Sequence, residues 1–542
     1  MGMFSGTLVH LGYFMDERWQ HFLEHFLWFE DLGFGIDTSR IHFHEHFEEE
    51  MRAHVENAHR AMSALEAGAI ANPDENRQVG HYWLRNPSLA PNPEIQNEIS
   101  TVHGDVEDFV RGVHMGEFSG DGGMFQHLLC IGIGGSALGT KFVAHALKNL
   151  PKRHVLELHF LDNTDPDGID QELEILKGAL GKTLVLVISK SGTTPETRNG
   201  MLETMKAYEQ EGIAFSRHAV AITCRGSSLD QQARREGWLH VFPMWDWVGG
   251  RTSVMSVVGL LPLALLGMDT KGLLAGARAM DTLTRGAGKE NPAMRLALAW
   301  YSATNGKGEK AMVVIPYKDR LSLLTAYLQQ LIMESLGKRT DFDGNFVRQG
   351  LTVYGNKGST DQHSYVQQLR DGLQNFFVTF VEVLKDREVA ETKAILPIAT
   401  GDYLEGFLLG TREALTEEAC DSITITLREV NAASVGMLMA LYERAVGFYA
   451  QFIRINAYHQ PGVEAGKKAA QSLLDAQASL GEIFEQYETP LSIREIVELL
   501  RKHEVCLAPD MVFKLLEHLV ANGRLNAERH AHMHDNRYFK NT

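Results

Sequence analysis

The chain has 542 residues, of which 44% are hydrophobic and 22% charged, so it is an ordinary globular protein with more than one hydrophobic core. Its net charge of −17 argues against a general affinity for nucleic acid. The longest apolar run, residues 254–268, is shorter than the roughly 18 residues that a membrane span requires. We therefore expect a cytoplasmic protein with no signal sequence and with neither a membrane nor a nucleic acid as partner.

The pattern over residues 1–104 predicts a mostly helical N-terminal region. Short apolar runs then alternate with helical stretches, which is typical of parallel sheets covered by helices on both faces. A predicted linker at 285–292 divides this part into two α/β units, residues 105–285 and 290–475. The predicted strands are 127–133, 155–161, 183–188, 219–223, 311–316, 376–383 and 422–427.

Residues 488–542 form a predicted C-terminal extension. Two helical stretches, 492–502 and 509–520, precede a hairpin predicted over 523–540, and this order is typical of a small winged helix. The second helix carries only Lys514 as a basic residue. We therefore expect the extension to have a structural or oligomerising role rather than a role in DNA binding.

A glycine-rich turn follows the first predicted strand. Residues 132–136 (Gly-Ile-Gly-Gly-Ser) precede a helix, where glycines let the backbone approach an anion and free N–H groups point at it. The same turn fits the dinucleotide fingerprint up to Ala137, and Asp162 ends a later strand where a ribose-binding acid would stand. A tight turn without a ligand is a third interpretation, and this segment alone does not decide among them.

A second loop follows the strand predicted at 183–188. Residues 189–194 offer four hydroxyls, a lysine and a glycine at the start of a helix, which suits phosphate oxygens. A hydroxyl-rich helix cap is the alternative, but a cap needs one or two hydroxyls. Two such loops at adjacent strand ends fit one small phosphate better than a dinucleotide.

A carboxylate stands on the helix predicted over 327–338, which Gly337 should cap. Glu334 lies on the apolar face of this helix, a position that suits a general base. A structural pairing of Glu334 with Lys338 or Arg339 is the alternative, and these residues alone favour it.

Other polar side chains lie in turns. His363 occupies a polar turn, which makes it an acid–base candidate among 24 histidines. Arg251 lies in a glycine turn, and Gln460 and Lys467 stand at the start of a helix.

Metal chemistry is not indicated by the cysteines or by the histidine triplets. The four cysteines are far apart and form no C-x-x-C pair, which favours reduced thiols over a structural zinc site. The histidine triplets at 42–46 and 530–534 have a spacing of two, which diverges around a helix, and only the second triplet could converge on a strand. We therefore expect no metal and no cofactor.

Taken together, these segments resemble the phosphoglucose isomerase family over about residues 70–470. The matching motifs stand at 131–136, 189–194, 248–251, 333–338, 362–363 and 461–467. The last three are the most specific, because simpler sugar-isomerase modules share only the phosphate loops. The family has two sugar-isomerase (SIS) domains, each a parallel sheet flanked by helices. The resemblance therefore implies an α/β fold with two SIS-type domains, to which a helical N-terminal region and a winged-helix-like appendage are added.

The resemblance also implies an activity, the interconversion of glucose 6-phosphate and fructose 6-phosphate in glycolysis and gluconeogenesis. Glu334 would move the proton between C2 and C1, with Gln330 touching the substrate. His363, oriented by Glu196, would open the sugar ring together with Lys467. The phosphate and the adjoining sugar end would be held by Gly135, Ser136, Ser189, Lys190, Ser191, Thr193 and Thr194.

Two further roles and a homodimer follow from the same resemblance. Arg251 would stabilise the cis-enediolate, and Gln460 would line the site. In the family the histidine enters from the neighbouring subunit, so His363 would cross to the partner's site. Leu336 stands where many members carry Asn, and residues 362–368 are a bacterial-type variant, but neither departure removes a chemical group.

Two other functions are compatible with parts of this pattern. A non-catalytic regulator that binds a sugar phosphate would keep the phosphate loops, but it would not need Glu334, His363 and Lys467 together. A nucleotide-dependent oxidoreductase would explain the first glycine turn and leave residues 189–194 without a role.

Overall fold

The computed structural model describes residues 17–148, 156–387 and 398–540. The chain forms two compact units, Met1–His459 and Gln460–Thr542. Among the described residues, no helix combines the length and the apolar character that crossing a membrane requires.

The strands are β1 (Phe26–Phe29), β2 (Phe34–Arg40), β3 (His127–Ile131), β4 (Glu157–Leu161), β5 (Thr183–Ile188), β6 (Ala219–Thr223), β7 (His240–Pro243), β8 (Ala311–Pro316), β9 (Lys338–Thr340), β10 (Phe346–Gln349), β11 (Val353–Tyr354), β12 (Phe376–Val383), β13 (Ser422–Leu427), β14 (Leu491–Ser492), β15 (Leu525–Glu528) and β16 (Arg537–Lys540). The helices that follow the helical residues 17–25 are α1 (Phe47–Glu66), α2 (Pro93–Met115), α3 (Leu138–Leu147), α4 (Pro166–Leu176), α5 (Pro195–Gln210), α6 (Ser228–Glu236), α7 (Val257–Leu265), α8 (Thr270–Thr284), α9 (Pro292–Ala303), α10 (Leu324–Leu328), α11 (Val366–Asp371), α12 (Thr400–Glu417), α13 (Ala432–Phe452), α14 (Pro461–Gln486), α15 (Ile493–Lys502) and α16 (Pro509–Ala521).

The first sheet is parallel throughout, with its strands in the order β4-β3-β5-β6-β7. Every residue of β5 and β6 is buried, which explains why both strands appear in the sequence as continuous apolar runs. Both have the bounds predicted for them, whereas the short strand β7 was not predicted. Because β3 and β5 are neighbours and parallel, the turns that follow them lie side by side at one edge of the sheet.

The second sheet has the order β1-β2-β13-β12-β8-β11. Strands β8, β11, β12 and β13 are parallel, and β8, β12 and β13 have the predicted bounds. The antiparallel hairpin of β1 and β2 pairs with β13, and it adds two strands that were not predicted to the helical N-terminal region. Aromatic residues favour strands, and Gly33 turns the hairpin with a φ of +55°. Phe34 and Ile36, which alternate along β2, are both fully buried.

The prediction of one regular helix over residues 327–338 is wrong. Helix α10 continues into a π-helix, Gln329–Glu334, and β9 begins at Lys338. Gly337 keeps a helical hydrogen bond to the carbonyl of Met333, at 2.8 Å, instead of capping the helix in the left-handed region. A π-turn inserts one residue into a helix and shifts the direction of the side chains that follow, and such turns are frequent at functional sites.

The C-terminal unit contains the predicted winged-helix elements. Helices α15 and α16 are followed by the β15–β16 hairpin, and β14 completes a three-stranded sheet. The core of this unit includes Leu480, Ile483 and Phe484 from α14, together with Leu516 and Tyr538. Helix α14 therefore packs with the extension, although the predicted second α/β unit extended to residue 475. The predicted domain boundaries stay predictions.

Replacement of Leu516 by Ala should destabilise the C-terminal unit. Leu516 is fully buried, and Leu→Ala substitutions in a core cost about 2–5 kcal/mol. We expect the free energy of opening, measured by amide hydrogen exchange in α15 and α16, to fall by that amount, while exchange in β5 stays unchanged. Leu474→Ala on the exposed face of α14 is the control. An equal fall in β5 would show that the two units unfold together.

Candidate active site

The predicted glycine turn lies between β3 and α3. Residues Gly134–Ser136 form a single 3-10 turn, in which Gly134 has a φ of +59°. A Cβ atom on Gly135 would lie 2.1 Å from the carbonyl oxygen of Gly250, so glycine is required for this approach. The hydroxyl of Ser253 also donates to the carbonyl of Gly135, at 3.2 Å. The glycine turn is therefore held against the loop that carries Arg251.

The hydroxyl-rich loop after β5 is organised by its own side chains. The hydroxyl of Ser189 donates to that of Thr194 at 3.2 Å and accepts from the amide of Gly192 at 3.1 Å. The hydroxyl of Ser191 accepts from both the amide and the hydroxyl of Thr193, at 3.2 and 3.0 Å. Ser191 and Thr193 are exposed, so this end of the loop is open to a ligand.

Lys190 connects the hydroxyl-rich loop to the Arg251 loop. Its Nζ donates to the carbonyls of Asp246 and Val248, at 2.8 and 3.0 Å. An ammonium has three N–H donors, so one remains for a bound anion. Burial has the largest effect on Lys190 and lowers its pKa, and the charge of Arg77 adds to this effect, because both disfavour the charged ammonium.

Arg251 lies at the centre of the candidate site, with a side chain that is 5% exposed. Its Nε donates to the hydroxyl of Ser335 at 2.7 Å, and its Nη2 donates to the carbonyls of Ala457 and His459 at 2.5 and 3.3 Å. Its Nη1 lies 3.4 Å from Oε1 of Glu334. Burial lowers the pKa of Arg251, and the carboxylate opposes this effect.

The ion pair of Glu334 therefore differs from the structural alternative, in which Lys338 or Arg339 would be its partner. Its partner is Arg251, which the alternative did not include, and the Glu334 side chain is 22% exposed. Gln330 precedes it on the π-helix, and the side-chain nitrogen of Gln330 lies 3.1 Å from the position a Cβ on Gly134 would take. The π-helix thus presents Gln330 to the glycine turn and Glu334 to the guanidinium.

Lys338 is a residue of the site that sequence reasoning missed. Its Nζ donates to the carbonyls of Glu334 and Ser335, both at 2.7 Å, and closes the end of the π-helix. Burial and the charge of Arg251 lower its pKa to about 7. The position of Lys338 four residues after Glu334 was the available signal, but this spacing also suits an ion pair between the two side chains.

Among the described residues, His363 and Glu196 make no side-chain hydrogen bond or ion pair with each other or with Glu334. His363 ends the 3-10 turn Thr360–His363 and is exposed, and its side chain has no hydrogen-bond partner among the described residues. Glu196, in the first turn of α5, likewise has no partner there. Gln460 begins the C-terminal unit, and the side chain of Lys467 lies outside the described residues.

A family model described as phosphoglucose isomerase matches residues 37–401 and 413–489. The chain belongs to the phosphoglucose isomerase family. This result confirms the resemblance inferred from the motifs.

Known relatives agree with this assignment. A glucose-6-phosphate isomerase of Synechococcus sp. (strain JA-3-3Ab) is 56% identical over 512 residues, which cover 94% of this chain and 95% of the relative. That of Nostoc punctiforme is 54% identical over 514 residues, with 94% and 96% covered. The crystal structure of a glucose-6-phosphate isomerase from Chlamydia trachomatis superposes with a TM-score of 0.74 at 26% identity, covering 85% of this chain and 91% of that one. The two-sheet α/β fold expected from the family is confirmed.

Replacement of Lys338 by Met should change how stability depends on pH. Unfolding raises the pKa of Lys338 from about 7 to about 10.4, so between these values the unfolded state holds one more proton. This group therefore adds stability as the pH rises from 7 to 10, by up to about 1.4 kcal/mol per pH unit. In denaturant titrations, the unfolding free energy of the wild type should therefore rise over this range relative to that of Lys338→Met.

The exposed Lys289 provides the control for this titration. Lys289→Met should leave the slope of stability against pH unchanged between pH 7 and 10. A wild-type slope that is retained in Lys338→Met would show that Lys338 titrates normally in the folded protein.

Proposed function

We propose that this chain catalyses the reversible isomerisation of glucose 6-phosphate to fructose 6-phosphate, through ring opening and a cis-enediolate, without a metal or nucleotide. The observation that carries the proposal is the pairing of Glu334 with the buried Arg251 beside two loops suited to phosphate. A regulator that only binds a sugar phosphate has no use for a carboxylate held against a buried guanidinium. The relatives named glucose-6-phosphate isomerase support the same choice of substrate.

In this proposal the phosphate binds to the loop after β5. The exposed hydroxyls of Ser191 and Thr193, with Ser189 and Thr194 beneath them, donate to phosphate oxygens, and Lys190 supplies charge. Residues Gly135 and Ser136 of the neighbouring turn hold the adjoining end of the sugar. Because Lys190 also binds the carbonyl of Val248, the phosphate and the Arg251 loop are positioned together.

Glu334 acts as the general base that moves the proton between C2 and C1. When Glu334 takes the proton it becomes neutral, and the substrate becomes a negatively charged enediolate. The charge beside Arg251 therefore moves from the carboxylate to the substrate without changing in total. At 4 Å, one such interaction contributes about 4 kcal/mol at an effective dielectric constant of 20. Arg251 thus stabilises the intermediate with a charge that is already in place.

Ring opening is assigned to His363 and Lys467, with Gln460 lining the site. His363 is exposed, yet its turn is anchored because the buried Asp361 accepts hydrogen bonds from the amide of Asn356, at 2.9 Å, and from the hydroxyl of Tyr365. Among the described residues the His363 side chain has no hydrogen-bond partner, and an exposed histidine on an anchored turn suits delivery to a second copy. We therefore assign it to the active site of the other subunit in a cytoplasmic homodimer, where Glu196 orients it.

Replacement of Glu334 by Gln tests the proposed base. The change keeps the size of the side chain and removes the proton acceptor, so turnover should fall by about 10²–10⁴-fold or more with substrate affinity little changed. The assay is formation of fructose 6-phosphate from glucose 6-phosphate with no NAD(P) in the reaction. Deuterium at C2 should exchange with water in the wild type and stay in place in the variant.

The exposed Glu309 provides the matched control, and Glu309→Gln should behave as the wild type. Ring opening should also persist in Glu334→Gln, because other residues catalyse it. Near-normal turnover with full exchange at C2 would show that another group is the base.

Mixed dimers test whether His363 crosses between subunits. Glu334→Gln and His363→Ala subunits should each be inactive as homodimers. If His363 acts across the interface, a mixed dimer has one site in which both residues are native, and random mixing recovers up to about a quarter of wild-type activity. If His363 acts within its own chain, both sites of the mixed dimer lack one residue, and no activity returns. Activity is measured after the subunits are co-refolded.

A further inference from the structure

A cluster of metal-ligand side chains lies at the first sheet, at the edge opposite the glycine turn. His127 is the first residue of β3, Glu157 is the first residue of β4, and His159 follows two residues later. The register pairs His127 with Glu157, so alternation along the strand places the three side chains on one face of the sheet. The four steps along β3 from His127 to Ile131 span about 13 Å, which separates this cluster from the turn that follows the strand.

The potential ligand atoms lie close together. Nδ1 of His127 is 3.3 Å from Nε2 of His159 and 3.4 Å from Oε2 of Glu157. One atom from each of the three residues lies within 4.8 Å of the others. In a tetrahedral zinc site with bonds of about 2.0–2.1 Å, neighbouring ligand atoms are about 3.3–3.4 Å apart. Two of the three distances therefore already match the edges of such a site.

A second carboxylate orients the buried histidine. Nδ1 of His159 lies 3.1 Å from Oε2 of Glu172 on α4, and the His159 side chain is 6% exposed. Donation from Nδ1 to this carboxylate leaves the lone pair on Nε2, which faces His127 and Glu157. Histidines that bind metals are commonly held by a carboxylate in this way, which fixes the tautomer and increases the basicity of the ligand.

The carboxylate ligand differs from the two histidines in exposure. The side chain of Glu157 is 67% exposed, whereas that of His127 is 18% exposed. Glu157 is therefore able to move by the small distance that completes the third contact. Its side of the cluster is open to solvent, so water can supply a fourth ligand.

We propose that His127, Glu157 and His159 bind a divalent transition-metal ion of the zinc class, with Glu172 as the positioning residue for His159. Two imidazoles and one carboxylate are a common ligand set for zinc. The ion would join the starts of β3 and β4 and would stabilise the folded state, because the unfolded chain does not hold these ligands together. The proposal is independent of catalysis, since Glu334 and Arg251 lie beyond the other edge of the sheet.

The test uses the full-length protein after its metals have been removed with a chelator. Zinc is titrated against a chromophoric chelator, and we expect one site per chain that is tighter than the other histidine sites. His127→Gln or Glu157→Gln should abolish this tight site. Glu172→Gln should weaken it by about 10–100-fold. The variants at the exposed Glu157 and the half-buried Glu172 keep the buried His159 in place, so folding is not at issue.

A second His–Glu–His group among the described residues, His21, Glu24 and His25, provides the control. His21→Gln should retain the tight site, and Co²⁺ bound to the wild type should give the intense visible absorption of tetrahedral cobalt. Zinc should raise the thermal midpoint of the wild type but not that of His127→Gln. The proposal is overturned if His127→Gln and Glu157→Gln bind zinc as tightly as the wild type, or if His21→Gln abolishes the site.

Discussion

A buried guanidinium is the interaction on which the candidate active site depends. Arg251 is almost completely removed from water, and a buried charge is tolerated only when its donors are satisfied. Its partners come from separate parts of the chain, namely the π-helix end at Glu334 and Ser335 and the carbonyls of Ala457 and His459. The site is therefore complete only when these segments are folded against one another.

The two loops suited to phosphate are tied to the same guanidinium through the backbone. Gly135 contacts Gly250, and Lys190 binds the carbonyl of Val248, so both loops are fixed to the segment that carries Arg251. A residue larger than glycine at 135 would separate the glycine turn from this segment. One short stretch of chain, residues 248–251, thus positions the base, the phosphate loops and the charge that stabilises the intermediate. Electrostatic catalysis requires preorganisation of this kind.

The sequence predicted the parts of this structure that follow from local pattern. Strands β5 and β6 are buried on both faces, and a continuous apolar run of that length has few other interpretations. The β1–β2 hairpin was missed because its pairing partner, β13, lies nearly 400 residues away in the sequence. The π-helix was missed because the pattern over 327–338 is also that of a regular helix.

The partners of the charged residues were harder to predict than the residues themselves. Glu334 and Lys338 are four residues apart, so a helix favours an ion pair between them, but Arg251 from a distant loop takes the carboxylate. Lys338 binds backbone carbonyls instead. The positions of His363 and Lys467 relative to Glu334 stay predictions, because they depend on a second copy and on the C-terminal unit.

A crystal structure of the Glu334→Gln variant with fructose 6-phosphate would show where the substrate binds, because the variant should turn the substrate over far more slowly than the wild type. The proposed function predicts phosphate oxygens within about 2.5–3.0 Å of the hydroxyls of residues 189–194. It also predicts that C1 and C2 lie about 3–3.5 Å from the side chain at position 334, with the C2 oxygen facing Arg251. A phosphate bound away from this loop, or a sugar whose C1–C2 edge faces away from position 334, would contradict it.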